Sequence, residues 1–282
     1  MVLPICVMTS PPKFTNPKVP EGISSGHDHP LVDVAKSSAI VIALVAALIG
    51  GSFFAARFAA PYLPFSWEQA LTRQVAQRTI ASEAADTAVG TYLQALANRI
   101  AAAMDLPDGM TITVHFLEDD TVNAFATLGG HIFVFDGLWQ LLDSENAVAM
   151  LLGHEIAHIK NRDPIRSASG ALLATLTAGA VLGDAGILAN LAGAGSLVTV
   201  MHFSRAQEAQ ADIDASAAVV GLYGHLNGAT DLFSALQTAA ADTIRPPAFL
   251  ASHPNLSERI AELERRAVAA GWTFAGEKTP LP

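Results

Sequence analysis

One pentapeptide, His154-Glu155-Ile156-Ala157-His158, combines residue types and a spacing that suit hydrolytic metal chemistry. On a helix, side chains four positions apart lie on the same face, so His154 and His158 can offer two imidazole nitrogens to one metal ion. Glu155 lies about 100° further round the helix, where it can reach a water molecule at that metal without ligating it. Two histidine ligands, a carboxylate base and an open coordination position are the parts of a zinc hydrolase site.

The residues around the pentapeptide predict that it lies on a buried helix. Asp143-Ser144 followed by Glu145 is typical of a helix start, and Pro164 cannot continue the helix at its other end. The apolar residues that lead into the motif are Ala147, Val148, Met150, Leu151 and Leu152. A surface helix with two solvated histidines is the alternative, but buried histidines need partners, and a metal ion is a natural one.

A third protein ligand has to come from another segment, and residues 204–212 contain the best candidates. Glu208 and Asp212 are four positions apart, so both carboxylates share one face of a helix. One can ligate the metal while the other accepts the N–H of a ligating imidazole and fixes its tautomer. The alternative is a solvated acidic helix face. His202 is a weaker candidate ligand because it precedes the predicted helix start at Ser204.

Four blocks of residues, in this order and at this spacing, resemble the HtpX/CAAX-prenyl-protease family of gluzincin metallopeptidases, including its periplasmic quality-control branch. The blocks are Asn123–Ala126 with Gly129–Val134, His154–Asp163, Ser204–Asp212, and His253-Pro254 with Arg259-Ile260. An ordered set of four blocks is far more specific than the pentapeptide alone.

The resemblance implies a role for each residue of the metal site. His154, His158 and Glu208 would be the ligands of one zinc ion per chain, and Glu155 would be the general base. Asp212 would be the carboxylate that accepts a hydrogen bond from a ligating histidine. In hydrolysis, the base takes a proton as water attacks the scissile carbonyl and delivers it to the leaving amine.

The block that contains His253 and Arg259 lies near the metal in proteins of this family. By resemblance, both residues are candidates to stabilise the oxyanion of the transition state. His253 is also a candidate for a reversible extra ligand.

A small β-sheet is predicted before the motif helix. Thr111–Leu117 alternates apolar and polar residues with β-branching, which is typical of a strand. Asn123–Ala126 and His131–Phe135 supply two more short strands around Gly129-Gly130.

This sheet is the expected binding place for a protein or peptide substrate. Peptides bind such enzymes in an extended form, as an added strand at an exposed sheet edge. We expect Ile132–Val134 to form that edge, although an ordinary edge covered by a helix is the alternative. The expected substrate-binding residues are Asn123, Ala124, Phe125, Gly130 and Ile132.

Composition restricts the class of partner. The chain has 282 residues and a formal net charge of −10, with a pI of about 5.2 and no basic cluster, which argues against a nucleic-acid partner. Cys6 is the single cysteine, so an internal disulfide and a cysteine-based zinc site are both excluded.

The N-terminal part of the chain predicts a tail and a membrane anchor. Residues 1–38 are expected to form a disordered tail, residues 39–60 a transmembrane helix, and residues 61–282 the metallopeptidase domain. The span has no charged residue before Arg57, and about 22 residues at ~1.5 Å each extend ~33 Å, enough to cross a bilayer. A cleaved signal peptide is the alternative, but the tail before it is too long for one.

Lysines before the span and arginines after it balance, so the charge pattern does not orient the chain. The resemblance favours a single-pass protein of the cytoplasmic (inner) membrane of a bacterium, with a periplasmic catalytic domain. The lipid bilayer is then a second partner. Residues 167–201 carry one charge and are predicted to form a buried or membrane-touching helical hairpin; true membrane helices are the alternative.

The predicted fold is α+β and mainly helical, a zincin-like domain with a small sheet behind one transmembrane helix. The predicted function is that of a membrane-anchored zinc endopeptidase that cleaves misfolded or envelope proteins. A proteolytically idle or gated chaperone or adaptor on the same fold is the alternative. A purely structural membrane protein would leave the four blocks unexplained.

Overall fold

The computed structural model describes residues 14–17, 30–70, 72, 87–182, 203–241 and 247–282. The chain divides into two units, residues 1–46 and 47–282. His202 and the second half of the predicted hairpin, from residue 183, lie outside the described residues. The fold class is confirmed, since the described residues are mostly helical with one small sheet.

Helix α1, Pro30–Ala59, is long and apolar enough over Leu31–Tyr62 to cross a membrane, and its most apolar window is not buried. A short 3₁₀ turn, Ala60–Tyr62, follows it. The helix begins earlier than predicted, so residues 30–38 are helical and do not belong to a disordered tail. Asp33 in the first turn favours this earlier start, because a carboxylate is stabilised at a helix N-terminus.

The sheet contains three strands in the order β1-β3-β2. These are β1 (Thr113–Leu117), β2 (Ala124–Ala126) and β3 (His131–Phe135). Strand β3 pairs with β1 in parallel and with β2 in antiparallel orientation. The expectation that Ile132–Val134 forms an exposed edge is therefore wrong, because β3 is the central strand and Ile132 is fully buried.

Helices surround the sheet and carry most of the core. They are α2 (Ala88–Ala103), α3 (Asp136–Trp139), α4 (Glu145–Lys160), α5 (Asp163–Leu182), α6 (Arg205–Tyr223), α7 (Asp231–Ala241), α8 (Phe249–Ser252) and α9 (Leu256–Ala270). Helix α4, which carries the His-Glu-x-x-His motif, is buried from its first residue to Ile159. A Cβ on Gly153 would lie 3.2 Å from the Ala215 Cα atom, so this glycine lets α4 and α6 pack backbone to backbone.

Capping side chains fix the starts of the two central helices. The Ser144 side chain accepts a hydrogen bond from the Ala147 N–H, as the predicted helix start requires. Ser204 caps α6 in a reciprocal pair with Gln207. The start of α9 differs from the expected Asn255-to-Glu258 capping pattern. Asn255 has a left-handed backbone with φ of 67° and makes no side-chain cap, because a capping side chain needs an extended backbone.

Gly130 is expected to be indispensable for the turn between β2 and β3. Its φ is 86°, and an added Cβ would lie 1.9 Å from the Thr111 carbonyl oxygen, a backbone atom with little room to move. Gly130→Ala should therefore lower the free energy of unfolding by about 3 kcal/mol or more. Gly109→Ala is the matched control, since its φ is 81° but nothing lies within 4 Å of the new Cβ. The control should cost only about 1 kcal/mol, and equal losses in denaturant unfolding would contradict this account.

Candidate metal centre and active site

Helix α4 brings the two motif histidines together at one point. The Nε2 atoms of His154 and His158 lie 3.1 Å apart, and the two rings are nearly perpendicular, at 88°. Both side chains are fully buried. The spacing of four residues thus places two imidazole nitrogens where one ion can meet both, as the sequence predicts.

Two further side chains complete the cluster, Glu208 from α6 and His253 from the residue after α8. Glu208 oxygens lie 3.5 Å from the Nε2 atoms of His154 and of His158. The Nδ1 atom of His253 lies 3.0 Å from Glu208 Oε1 and 3.1 Å from His154 Nε2. One donor atom from each of the four residues lies within 4.8 Å of all the others.

The chemistry of this cluster fits a zinc ion. Imidazole nitrogens with one carboxylate oxygen are a donor set that zinc prefers, and a catalytic zinc site takes three protein ligands. Two buried atoms that face the cluster, Glu155 Oε1 and His253 Nε2, have no hydrogen-bond partner. Buried polar atoms are seldom left unpaired, so these two are explained best by groups that bind during the reaction.

Asp212 lies where the sequence predicts it, as the carboxylate beside one of the motif histidines. Its Oδ1 atom is 3.0 Å from His154 Nδ1, which leaves the Nε2 atom of His154 for the metal. Burial opposes ionisation of Asp212, but the charge of Arg259 and the hydrogen bonds to His154 and Arg259 together outweigh it and lower the pKa of this carboxyl to about 2. The carboxylate is therefore ionised and ready to accept the imidazole N–H.

Arg259 contacts two carboxylates beside the cluster. Its Nε and Nη2 atoms donate to the two Asp212 oxygens at 2.8 and 2.7 Å, and Nη1 lies 3.0 Å from Glu208 Oε2. The guanidinium also lies over the ring of Phe233, 4.8 Å from its centroid. This arrangement holds the two carboxylates, while the buried Nη1 atom has no hydrogen-bond partner. The oxyanion role expected from the resemblance stays a prediction.

Asp163 is a functional residue that the sequence reading missed. Its Oδ2 atom lies 2.9 Å from His158 Nδ1, and its side chain is only 1% exposed. Burial opposes protonation of His158, but the hydrogen bonds to Asp163 and Glu208 outweigh burial and raise the pKa of this imidazole to about 9. The available signal was a carboxylate five residues after His158, at the end of the block His154–Asp163, to which the sequence assigned no role of its own.

Two aromatic side chains stack on the imidazole rings, and the sequence did not predict either contact. The Phe203 ring stacks on His158, with 4.0 Å between centroids and 17° between planes. Phe249 stacks on His253 at 4.4 Å and 26°. Phe203 is part of neither the capping signal at Ser204 nor the acidic pair, so no local pattern marked it. Both rings limit how far the ligating imidazoles can rotate.

Glu155 connects the cluster to the sheet. Its Oε2 atom accepts a hydrogen bond from the Ala126 N–H at 2.7 Å, and its Oε1 atom lies 3.5 Å from His253 Nε2. Ala126 belongs to β2, an edge strand, and its peptide N–H points away from β3. The Glu155 carboxylate and the outer edge of β2 thus meet at the same place.

Both outer edges of the sheet are covered among the described residues. On β1, the Gln94 side chain accepts from the Val114 N–H at 2.8 Å and donates to the Ile112 carbonyl at 3.1 Å. On β2, Ala124 and Ala126 are fully buried. The structure thus agrees with the alternative of a covered edge.

The remaining residues expected to bind substrate divide into two groups. Asn123 and Phe125 lie on β2 or next to it; the Asn123 side-chain oxygen is buried without a hydrogen-bond partner, and Phe125 stacks on Phe133 at 5.1 Å. Gly130 and Ile132 lie in the turn and on the central strand, where the protein itself surrounds them. Asn123 and Phe125 are partly buried, whereas Gly130 and Ile132 are buried.

A buried His-Glu-x-x-His helix, a glutamate from a second helix and a carboxylate that faces the cluster define a metallopeptidase of the gluzincin class. Residues 88–267 match the family model of peptidase family M48. The chain belongs to this family, which confirms the resemblance to gluzincin metallopeptidases.

Named relatives agree with this membership. A beta-barrel assembly-enhancing protease of Vibrio cholerae is 30% identical over 194 residues, which cover 64% of this chain and 40% of the relative. The mitochondrial metalloendopeptidase OMA1 of Schizosaccharomyces pombe is 29% identical over 177 residues, 61% of this chain and 51% of the relative. The beta-barrel assembly-enhancing protease of Escherichia coli K12 is 31% identical over 169 residues, 54% and 34%. The chain spans about half or less of the length of these relatives.

Proposed function

We propose that the protein is a zinc endopeptidase anchored to a membrane by α1, with one zinc ion held by His154, His158 and Glu208. The observation that carries this proposal is the convergence of these donor atoms within 4.8 Å, beside a carboxylate with an unpaired oxygen. The three ligands come from two helices that pack backbone to backbone, so the site is held by the core of the domain. A site on rigid elements retains its geometry between catalytic cycles.

The proposed reaction is hydrolysis of a peptide bond. A bound zinc ion acts as a Lewis acid that polarises the scissile carbonyl and acidifies a water molecule. Glu155 accepts the proton of the attacking water and delivers it to the leaving nitrogen. Its buried setting, with one oxygen held by the Ala126 N–H, fixes the other oxygen toward the cluster.

We assign the role of oxyanion donor to His253. Its Nε2 atom is buried, has no hydrogen-bond partner and lies 3.5 Å from Glu155 Oε1. Its Nδ1 atom lies within the donor cluster, which also suits a reversible ligand. Loss of one donor to an oxyanion typically costs about 3 kcal/mol of transition-state stabilisation.

The substrate is proposed to be an extended segment of a protein, paired with the outer edge of β2 at Asn123, Ala124 and Phe125. The outer edge of β2 meets Glu155, which accepts from the Ala126 N–H, so a peptide paired with this edge would place a scissile bond beside the base. Because Ala124, Ala126 and Glu155 are fully buried, this pairing requires the edge to be uncovered first. This burial favours a gated protease over one that is permanently open.

We place the protein in the inner membrane of a bacterium, with residues 61–282 on the periplasmic side. The apolar helix and the bacterial beta-barrel assembly-enhancing relatives support this placement. Misfolded or envelope proteins are the proposed substrates. A chaperone or adaptor without turnover is the second candidate, and the closed edge of β2 is the observation that favours it.

Cleavage of casein by the full chain in detergent tests this proposal. We expect cleavage that a chelator abolishes and that added zinc restores, because the proposed reaction depends on the metal. Cleavage that persists after complete metal removal would contradict a metallopeptidase mechanism. A protein that holds zinc but never cleaves an unfolded substrate would favour the adaptor.

A further inference from the structure

The apolar helix α1 reaches the metal site through one side chain. Arg57, in the last turn of α1, donates from Nη2 to the Gln207 side-chain oxygen at 3.0 Å. Gln207 lies in the first turn of α6, directly before the ligand Glu208. All three residues belong to the unit formed by residues 47–282.

Arg57 fixes the orientation of the Gln207 amide. The amide oxygen accepts from Arg57 and, at 2.9 Å each, from the Ser204 backbone N–H and the Ser204 hydroxyl. The amide nitrogen donates to Asp163 Oδ1 at 2.6 Å. A flipped amide would place its NH₂ group against the N–H donors of Arg57 and Ser204 and its oxygen against a carboxylate, so the observed orientation is the one that suits these groups.

Asp163 connects the Gln207 amide to the proposed metal ligand His158. With Oδ1 held by Gln207, its Oδ2 atom accepts from His158 Nδ1 at 2.9 Å. Arg166 contributes a more distant charge, 3.9 Å from Oδ1. Because Asp163 is 1% exposed and Gln207 9%, water competes little for these bonds.

We propose that Arg57 is a positioning residue for the metal ligand His158, acting through Gln207 and Asp163. The last turn of the apolar helix is then part of the support of the metal site and does more than tether the domain. This proposal rests on the proposed zinc site. Partners of this kind typically change metal affinity by about 10- to 100-fold when mutated, and the effect should decrease with each step away from the ligand.

The direction in which zinc affinity changes when Arg57 is replaced distinguishes positioning from a purely coulombic effect. Arg57 is a cation near a dication, so its removal on coulombic grounds alone would strengthen zinc binding. Loss of positioning predicts the opposite, weaker binding, because Gln207 and Asp163 lose their fixed orientation.

The test is the zinc affinity of the full chain in detergent, measured by competition with a chromophoric chelator. We expect Asp163→Asn to weaken binding by about 10- to 100-fold and Arg57→Met by about 3- to 10-fold. Arg57→Lys, which keeps a charge and a donor, should recover part of the loss. In a Gln207→Leu background, Arg57→Met should have no further effect, since the connection is already broken.

The matched control is Lys36→Met, which removes a cation of the same helix whose ion pair is with Asp33 at 3.9 Å. It should leave zinc affinity unchanged. Melting of the metal-free protein verifies that the variants fold alike, and Arg57→Gln replaces Arg57→Met should the latter not fold. Equal or tighter zinc binding by the Arg57 variant overturns the proposal while the zinc site stands. Absence of zinc from the wild type overturns the zinc site itself.

Discussion

Replacement of Glu155 by glutamine should lower kcat by about 10²- to 10⁴-fold, the usual contribution of a positioned general base. Glutamine has the same shape and keeps an oxygen for the Ala126 N–H, which donates to Glu155 Oε2 at 2.7 Å. It cannot accept a proton from water. We therefore expect the variant to hold zinc, to melt near the wild-type temperature and to lose turnover of an unfolded protein.

A second glutamate of α4 provides the control for this variant. Glu145 is buried at the start of the helix and accepts hydrogen bonds from Tyr92, Arg99 and Tyr223. Glu145→Gln removes the same charge from the same helix, far from the cluster in sequence, and should lower stability while leaving kcat unchanged. Turnover that survives in Glu155→Gln would remove Glu155 from the mechanism.

Arg259→Met should be among the most destabilising single substitutions in the domain. It leaves the buried carboxylates of Asp212 and Glu208 without the guanidinium that contacts both, at 2.7 and 3.0 Å. Removal of one partner from a buried ion pair typically costs about 3–5 kcal/mol. The measurement is denaturant unfolding of the metal-free protein, so that metal binding does not mask the loss.

Two variants make this measurement specific. Arg259→Lys keeps the charge but not the paired hydrogen bonds to Asp212, so an intermediate loss is expected. Arg265→Met removes a guanidinium from the same helix whose side chain is 72% exposed, and such surface pairs contribute little to stability. Equal stability of Arg259→Met and Arg265→Met would show that Arg259 does not compensate the buried carboxylates.

The helices of the metal site could be predicted because their signals are local. The spacing of His154 and His158, the cap at Ser144 and the pair Glu208 and Asp212 all depend on residues within one helical turn or at a helix end. A period of 3.6 residues converts such spacing directly into a shared face. These parts of the site therefore required no knowledge of the tertiary fold.

The strand order could not be predicted in this way. Nothing local distinguishes a central strand from an edge strand when three short apolar strands lie close together. The sequence analysis predicted that Ile132–Val134, in β3, form an edge of the sheet. In the structure β3 pairs with β2 on one side and with β1 on the other, so it is the central strand. Correcting the strand order moves the proposed substrate-binding edge from β3 to β2.

The supporting side chains were missed for a related reason. Asp163 and Phe203 act on His158 through contacts that only the packing of α5 and α6 against α4 creates. Arg259 was expected to lie near the metal as a candidate oxyanion donor, and only the tertiary fold shows that it also contacts Asp212 and Glu208. A resemblance to a family can indicate that a residue lies near the metal. The direction in which its side chain points depends on the tertiary structure.

The most direct test of the central claim is the metal content of the full chain, wild type and Glu208→Gln, after dialysis against a weak chelator. We predict about one zinc ion per wild-type chain and almost none in the variant, because an amide is a poor ligand compared with a carboxylate. Both proteins should retain their helical circular dichroism. A wild type without zinc, or a folded variant that holds zinc as well as the wild type, would contradict the assignment of this site.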